Sequence, residues 1–361
     1  VGSQVTNTEF LSTFAGRRVM ITGHTGFKGS WLAFLLSEVG AEVLGYALAP
    51  EKPVSHFEAL GLSKLIRHVE GDVRDEKKLA DVMLEFQPEY VFHLAAQALV
   101  RPSYADPRAT FETNVMGSVN LLEAVRKCQS VRSLVYITSD KCYENLEWEW
   151  GYRENDRLGG HDPYSASKAA AEIAFSAYAR SFFASRPELG AATARAGNVI
   201  GGGDWAIDRI VPDCIRAISA DKPVTLRSPN ATRPWQHVLE PLAGYLLLAV
   251  RLAEQPQKYS GAWNFGPSTS EIRTVFQVAD HIVKHIGRGT IVVEQSAAKH
   301  HEANLLQLNC DKANQLLGWK PRWDVEDTLT ATADWYKLVM GGAEVSDVTR
   351  QQLRKFFPEL T

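Results

Sequence analysis

The chain reads as an α/β protein, a doubly wound parallel sheet covered by helices on both faces, with a smaller, interleaved C-terminal domain. Three observations predict this. Short apolar runs alternate with longer segments of helical period, the pattern of strands buried on both faces of a parallel sheet. The first such run, Arg17 to Thr22, passes straight into the glycine-rich stretch Gly23-His24-Thr25-Gly26-Phe27-Lys28-Gly29. Beyond Asn198 the alternation breaks into shorter pieces at Gly201-Gly202-Gly203 and at Pro212, Pro223, Pro229 and Pro234.

Each element follows in order. Gly23 permits a tight turn, Gly26 lets backbone approach a pyrophosphate, and Gly29 allows a helix running through Leu36 to pack closely, its N-terminus favouring the anion. A second strand from Glu42 to Tyr46 completes a β-α-β unit of the dinucleotide-binding, Rossmann type. Further units are predicted as a strand from His68 to Gly71, a helix from Glu76 to Phe86 and a strand from Tyr90 to Leu94. A helix from Asn114 to Lys127 and a strand from Ser133 to Thr138 come next. A helix carrying Tyr164 and Lys168 then leads to a strand from Ala191 to Ala196. Ligands of such sheets lie beyond the carboxyl ends of the strands, which gathers Gly23, Ala95, Ser139 and Asn198 at one crevice. Two more helical stretches, around Leu239 to Leu252 and around Val275 to Ile286, point to interleaved domains. The dinucleotide-binding domain is placed at residues 14-198 with a return segment near 235-266, and the second domain at 199-234 and 267-355.

Composition narrows the function classes. A chain of 361 residues can bury a sizeable core as one large or two modest domains. The net charge of -3 gives no electrostatic case for nucleic acid or an anionic membrane. No stretch reaches the roughly 18 apolar residues of a membrane span, and Val1 to Gly16 lacks a signal peptide's basic-then-apolar order, so the expected address is cytoplasmic. Cys128, Cys142, Cys214 and Cys310 are far apart with no Cys-x-x-Cys, against a disulfide framework or thiolate zinc site. His300-His301 lacks a third ligand at metal-site spacing, and no metal is expected.

The chemistry is carried by Tyr164-Ser165-Ala166-Ser167-Lys168 and by Thr138-Ser139-Asp140-Lys141. On a helix, residues four apart share a face, so the Lys168 ammonium would lie beneath the Tyr164 hydroxyl. That cation is expected to favour phenolate and lower the tyrosine pKa. Ser139, just past a strand end, would hold a sugar hydroxyl against the phenolate, which takes its proton as hydride leaves carbon. The blander alternatives are a chance Tyr-x-x-x-Lys spacing, a glycine turn without a ligand, and an Asp140-Lys141 ion pair at a strand end.

The stretches Thr22 to Gly29, Gly71-Asp72-Val73-Arg74-Asp75, His93-Leu94-Ala95-Ala96-Gln97, Asn114-Val115-Met116-Gly117 and Tyr164 to Lys168 resemble the extended short-chain dehydrogenase/reductase family. Four others are similar to its CDP-glucose 4,6-dehydratase branch: Thr138 to Tyr143, Trp150 to Glu154, Gly201 to Trp205 and Arg233 to Val238. The resemblance covers almost the whole chain. It implies conversion of CDP-D-glucose to CDP-4-dehydro-6-deoxy-D-glucose and water by internal hydride transfer through NAD, with Ser139, Asp140, Lys141, Tyr164 and Lys168 as the catalytic set. Relatives acting on dTDP-glucose carry an Asp-Glu pair where this chain has Asp140-Lys141. Either Lys141 is the base and Asp140 the acid of the elimination, or Asp140 donates the proton while Lys141 stabilises the enolate.

NAD also rests on the resemblance, because Leu44-Gly45-Tyr46-Ala47 lacks both the acidic residue that would hold a ribose 2'-hydroxyl and an arginine in its place. Gly23, Thr25, Gly26, Phe27, Lys28 and Gly29 would line the cofactor, Asp72 and Val73 its adenine, and Leu94, Ala95 and Ala96 its nicotinamide side, beside Tyr164 and Lys168. Asn114 would position Lys168 through water, or simply start a helix. Arg209, Arg233 and His237 are candidates for the substrate diphosphate, since a guanidinium forms two parallel bonds to phosphate oxygens; Gln97 and Asn198 join them. Trp205 and Trp235 would flank the base or pack in the core. The resemblance further implies a homodimer or homotetramer in bacterial deoxysugar biosynthesis. Two other readings stay open: a nucleotide-sugar epimerase or reductase on the same scaffold, and a non-catalytic dinucleotide-binding regulator.

Overall fold

In the computed structural model of the chain, residues 9-50, 54-268, 272-294 and 305-360 are described. Seven parallel strands form the central sheet: β1 (Arg18–Thr22), β2 (Glu42–Ala47), β3 (Arg67–Glu70), β4 (Tyr90–His93), β5 (Ser133–Ile137), β6 (Gly190–Ala196) and β7 (Gly261–Phe265). Their spatial order is β7-β6-β5-β4-β1-β2-β3. The order reverses direction at β1, so a crevice opens between the ends of β1 and β4, where ligands of such sheets bind.

Side chains of a strand point alternately to the two faces, and the apolar runs use this to feed two separate cores. Val19, Ile21, Val43, Phe92, Val135 and Ala192 face one core; their neighbours Met20, Leu44, Val91, Leu134, Tyr136 and Ala191 face the other. The second core is closed by α2 (Glu76–Phe86) and α3 (Gly117–Lys127), through Leu79, Met83, Leu121 and Val125. The first holds α1 (Phe27–Glu38), whose Trp31 to Leu36 are all fully buried. That first core continues without a break into Ile215, Ile282, Trp335 and Phe356 of the C-terminal half. Sheet and C-terminal region therefore share one apolar body.

The helix bearing Tyr164 is α4 (Pro163–Ser181). Its start is specified locally: Asp162 accepts a hydrogen bond from the Ser165 amide, and Pro163 occupies the first helical position, where a missing N–H costs nothing. After β6 the chain enters α5 (Ile210–Ser219), then α6 (Leu239–Glu254), which leads through a short turn into β7 at the sheet edge. The helix α7 (Val275–Ile286) begins with a reciprocal capping box between Thr274 and Gln277. Two helices with no counterpart in the sequence reading, α8 (Val325–Met340) and α9 (Val345–Phe356), complete the C-terminal region. Short strand pairs fold back over the sheet's carboxyl edge: Val199–Ile200 with Gln236–His237, and Thr232–Pro234 with Ile272–Thr274.

Where a helix is expected from Asn114, the structure has a π-type turn over Glu112–Met116 before α3 begins. A π-turn is a local widening that often marks a functional position. Here it brings the Asn114 amide inward, where it donates to the Gln97 carbonyl (3.0 Å) and to Ser167 Oγ (2.8 Å).

Candidate active site

The glycine turn is shaped for close approach. Gly23 has φ 77°, and a side chain there would meet the Ala95 amide nitrogen at 2.7 Å. A Cβ on Gly29 would lie 2.1 Å from the Gly23 carbonyl oxygen. At Gly26 nothing comes closer than 3.4 Å, and Gly26, the residue preceding α1, offers no side-chain cap. The first-turn amides of α1 therefore face open space, a ready anion site that fits a dinucleotide pyrophosphate. Around it, Thr25 Oγ1 donates to the Leu48 carbonyl, Phe27 packs against Gly201, and Leu94 and Ala95 hang from Thr22; Ala96 is half-buried beside them.

At the end of β2 the missing carboxylate has a physical counterpart. His24 lies flat beneath Gly45, whose absent Cβ would sit 2.3 Å from the ring, and His24 Nε2 pairs with His68 Nδ1 at 2.7 Å. Burial and the neighbouring His68 push the His24 pKa down to about 3, so His24 enters this contact as a neutral imidazole. Past β3, the Asp72 carboxylate is held by Arg74, and Val73 packs on Gly117.

Four of the predicted catalytic groups meet at the carboxyl edge: Ser139, Asp140, Tyr164 and Lys168 are all buried. Ser139 follows β5 and caps a single helical turn, Asp140–Cys142, accepting the Lys141 amide and donating its hydroxyl to Asp140 Oδ1 at 2.9 Å. Gly197 makes room for that carboxylate, since a Cβ there would come within 2.6 Å of Asp140 Oδ2. Lys141 is half-buried, and among the described residues no hydrogen bond or ion pair engages its ammonium. Opposite, Lys28 is half-buried within electrostatic reach of Arg209, Asp140, Lys168 and Asp204. Burial, then Arg209, pulls its ammonium down to about 8.

One expectation is reversed. Tyr164 is pushed up to about 12, because burial of the phenolate outweighs the lowering contributions of the Ser139 hydrogen bond and Arg209, and Asp140 adds to the rise. Lys168 is itself desolvated and pulled down to about 8, with Glu172 opposing. The cation beneath the tyrosine is thus already a weakened one.

Three other expectations change. The Gln97 amide, taken as a substrate contact, is committed to its own loop, with Oε1 accepting the Leu99 amide and Nε2 donating to the Leu99 carbonyl and Thr110 Oγ1. His237, a diphosphate candidate, is fully buried between Trp31 and Trp323, and burial pushes its pKa down to about 3. A neutral core imidazole has no charge to offer a phosphate. Asn114 starts no helix and reaches Ser167 directly, fastening the β4 loop to α4. Arg209 remains at the crevice, paired with Asp204 at 2.9 Å, a buried carboxylate that the sequence reading overlooked in Gly-Gly-Gly-Asp-Trp. Arg233 is half-buried on its short strand, and Asn198 stands at the β6 exit with its carbonyl accepting the Gln236 amide. Trp205 and Trp235 pack in the core, Trp205 edge-on to Tyr336.

No metal-binding group of three or more His, Cys, Asp or Glu occurs among the described residues, and His300-His301 lies outside them. The Cys142 thiol is held well above its ordinary range by burial, so it is no nucleophile.

With this geometry in place, comparison with known proteins is decisive. The model of the family described as GDP-mannose 4,6 dehydratase matches residues 20–332. The chain belongs to that family. It is thereby a member of the extended short-chain dehydrogenase/reductases. The CDP-glucose 4,6-dehydratase of Salmonella typhimurium is 47% identical over 351 residues, covering 96% of this chain and 98% of that protein. Among solved structures, the UDP-glucose 4-epimerase of Thermus thermophilus, in complex with NAD, is 26% identical with TM-score 0.75, covering 89% of this chain and 99% of that one. The dTDP-glucose 4,6-dehydratase of Streptomyces venezuelae, with NAD bound, shares the fold at 22% identity and TM-score 0.74, covering 95% and 100%. No helix of the described residues is long and apolar enough to cross a membrane.

Proposed function

We propose that the chain is a CDP-glucose 4,6-dehydratase, converting CDP-D-glucose to CDP-4-dehydro-6-deoxy-D-glucose and water. The observation that supports this best is the buried cluster of Ser139, Asp140, Tyr164 and Lys168, with Lys141 next to Asp140 in sequence, in a chain 47% identical to a CDP-glucose 4,6-dehydratase. NAD, held at the glycine turn, supplies a reversible hydride acceptor, so the hydride taken from the sugar's carbon 4 is returned at carbon 6 without net consumption.

The side chains do the rest. Tyr164 takes the carbon 4 hydroxyl proton, with Ser139 orienting that hydroxyl and Lys168 offsetting the phenolate charge. The new ketone acidifies the carbon 5 hydrogen, which Lys141 removes as the base of the elimination. Asp140 protonates the carbon 6 oxygen, which departs as water, and Lys141 returns its proton to carbon 5. Tyr164 has then gained one proton and Asp140 has lost one. The Ser139 hydroxyl, bonded to Asp140 at 2.9 Å and adjacent to Tyr164, is the route that closes this balance. Arg209 and Arg233 are the residues offered to the substrate diphosphate, and Asn198 adds an amide donor.

We also place the enzyme in the cytoplasm as a homodimer or homotetramer serving deoxysugar synthesis. Exposed Phe111, Met116, Ile173 and Phe182, on α4 and the segments packed beside it, supply apolar surface for the contact. The test is CDP-glucose carrying deuterium at carbon 4. The label is expected at carbon 6 of the product, within the same molecule. Label retained at carbon 4 would instead make the protein an epimerase, and label lost to free dinucleotide would make it a simple dehydrogenase.

A further inference from the structure

Tyr164 and Lys168 are two members of a row of three. Glu172 follows one helical turn later, so Tyr164, Lys168 and Glu172 share one face of α4. Glu172 is buried, and its carboxylate is gripped from two sides. Arg195, on β6, donates to it from Nε and from Nη2, both at 2.8 Å. Thr138 Oγ1 donates to Oε1 at 2.5 Å from the residue immediately before Ser139 and Asp140. The remaining Arg195 nitrogen donates to the Tyr143 hydroxyl and the Glu154 carbonyl, which carries the clamp into the loop after β5.

Nothing in the reaction above uses this pair, yet its location is informative. Among the described residues no hydrogen bond or ion pair reaches the Lys168 ammonium, which is buried. The titratable groups facing it can be taken in turn. His93, at the end of β4, is neutral, since burial holds its pKa near 3. Cys142 keeps its proton because its pKa is driven well upward. Lys28, at the start of α1, is a cation. Among the described residues, Glu172 is the carboxylate that acts on Lys168, and it acts to keep the ammonium charged.

We propose that Glu172 is a positioning residue of the reaction: clamped by Arg195 and Thr138, its carboxylate holds Lys168 in the charged state beneath Tyr164 and ties that charge to the strand end bearing Ser139 and Asp140. A buried carboxylate bonded on both oxygens by a guanidinium is fixed in place and cannot swing away. Without it, the desolvated ammonium would lose its proton in the range where the enzyme works, and the Tyr164 phenolate would lose its counter-cation. The inference rests on the catalytic reading of Tyr164 and Lys168, but its primary readout needs neither substrate nor cofactor.

The measurement is the titration of the Lys168 side-chain resonance, in protein labelled at lysine and assigned by its disappearance in Lys168→Arg. In Glu172→Gln the midpoint is expected to fall by about one pH unit or more, a tenfold change in the protonation constant, while Glu172→Asp stays near the parent protein. The alkaline limb of kcat/KM for the CDP-sugar should move down by the same amount. Because Glu172→Gln leaves Arg195 short of a full charge partner, the double variant Glu172→Gln/Arg195→Met, which removes both charges, repeats the comparison without that stranded cation and is expected to show a smaller fall in the same direction. An unchanged Lys168 midpoint in either folded variant overturns the proposal, as does failure of both to fold, which would reduce the pair to a stability element. Absence of turnover by the parent protein bears only on the dehydratase reading, because the lysine titration stands apart from it.

Discussion

Tyr164 shows why a nearby cation does not by itself make a phenolate. Burial of the ring oxygen raises its pKa to about 12, and the opposing pull comes first from the Ser139 hydroxyl, so the tyrosine must be activated locally when the sugar hydroxyl arrives. Removing that oxygen in Tyr164→Phe should therefore lower the first half-reaction, appearance of reduced nicotinamide in a single turnover, by about 10²- to 10⁴-fold. In the proposed reaction Lys141 belongs to the second half. Lys141→Ala is expected to leave that transient reduction largely intact while abolishing both water loss and exchange of the carbon 5 hydrogen with deuterated solvent. Equal damage to both halves would return Lys141 to a structural role. Ser139→Ala is the intermediate case, slowing both steps, because one hydroxyl serves Tyr164 and Asp140 together.

At the scale of elements, the glycine turn separates packing from binding. Gly26→Ala meets open space at a backbone φ of -80°, so the melting temperature should hold while NAD affinity falls as the methyl group enters the pyrophosphate's path. Gly29→Ala drives a Cβ into the Gly23 carbonyl and should destabilise the fold by about 1–3 kcal/mol or more. Thermal melts and dinucleotide titration of the two variants distinguish these outcomes. Much of this architecture is legible in the sequence because local and global signals agree. The helix expected near Glu76 to Phe86 is found there, since Asp75 caps it and its apolar residues keep a 3.6 period. Strands such as Ser133–Ile137 stand out as largely apolar runs buried on both faces. The strand Gly261–Phe265 hides because Gly, Ala and Asn carry no strand signal, and it earns its place by pairing with β6. In the site, Tyr164, Lys168 and Ser139 are legible from motif and spacing. The fates of Gln97 and His237 are not, because they depend on loop hydrogen bonds and on two tryptophans distant in sequence. Arg195 is equally silent: it sits in an alanine-rich strand, and its partner Glu172 lies on a different element.

At the scale of the whole molecule, four histidines among the described residues, His24, His56, His93 and His237, are held by burial near pKa 3 against an ordinary 6.5. A histidine depressed in the folded state binds its proton only on unfolding, so stability is fully present above about pH 6.5 and is lost as pH falls toward 3. Each contributes about 1.4 kcal/mol per pH unit in that window, and four together remove about 5 kcal/mol per unit, comparable to the net stability of a domain. Circular dichroism should therefore show cooperative acid unfolding around pH 5, and a protein still folded near pH 4 would contradict the neutral-histidine core. Assembly is testable at the same scale: Ile173→Glu, on an exposed face of α4, should yield monomers by light scattering if that face is the subunit contact. Above these stands the reaction itself, in which we propose that Asp140 and Lys141 separate a dehydratase from a plain oxidoreductase. The most direct test incubates the protein with NAD and, separately, CDP-, dTDP- and GDP-glucose, following product mass and reduced nicotinamide together. The account predicts loss of one water from the CDP sugar alone, with no net accumulation of NADH; a product of unchanged oxygen content, or NADH formed mole for mole with product, would contradict it.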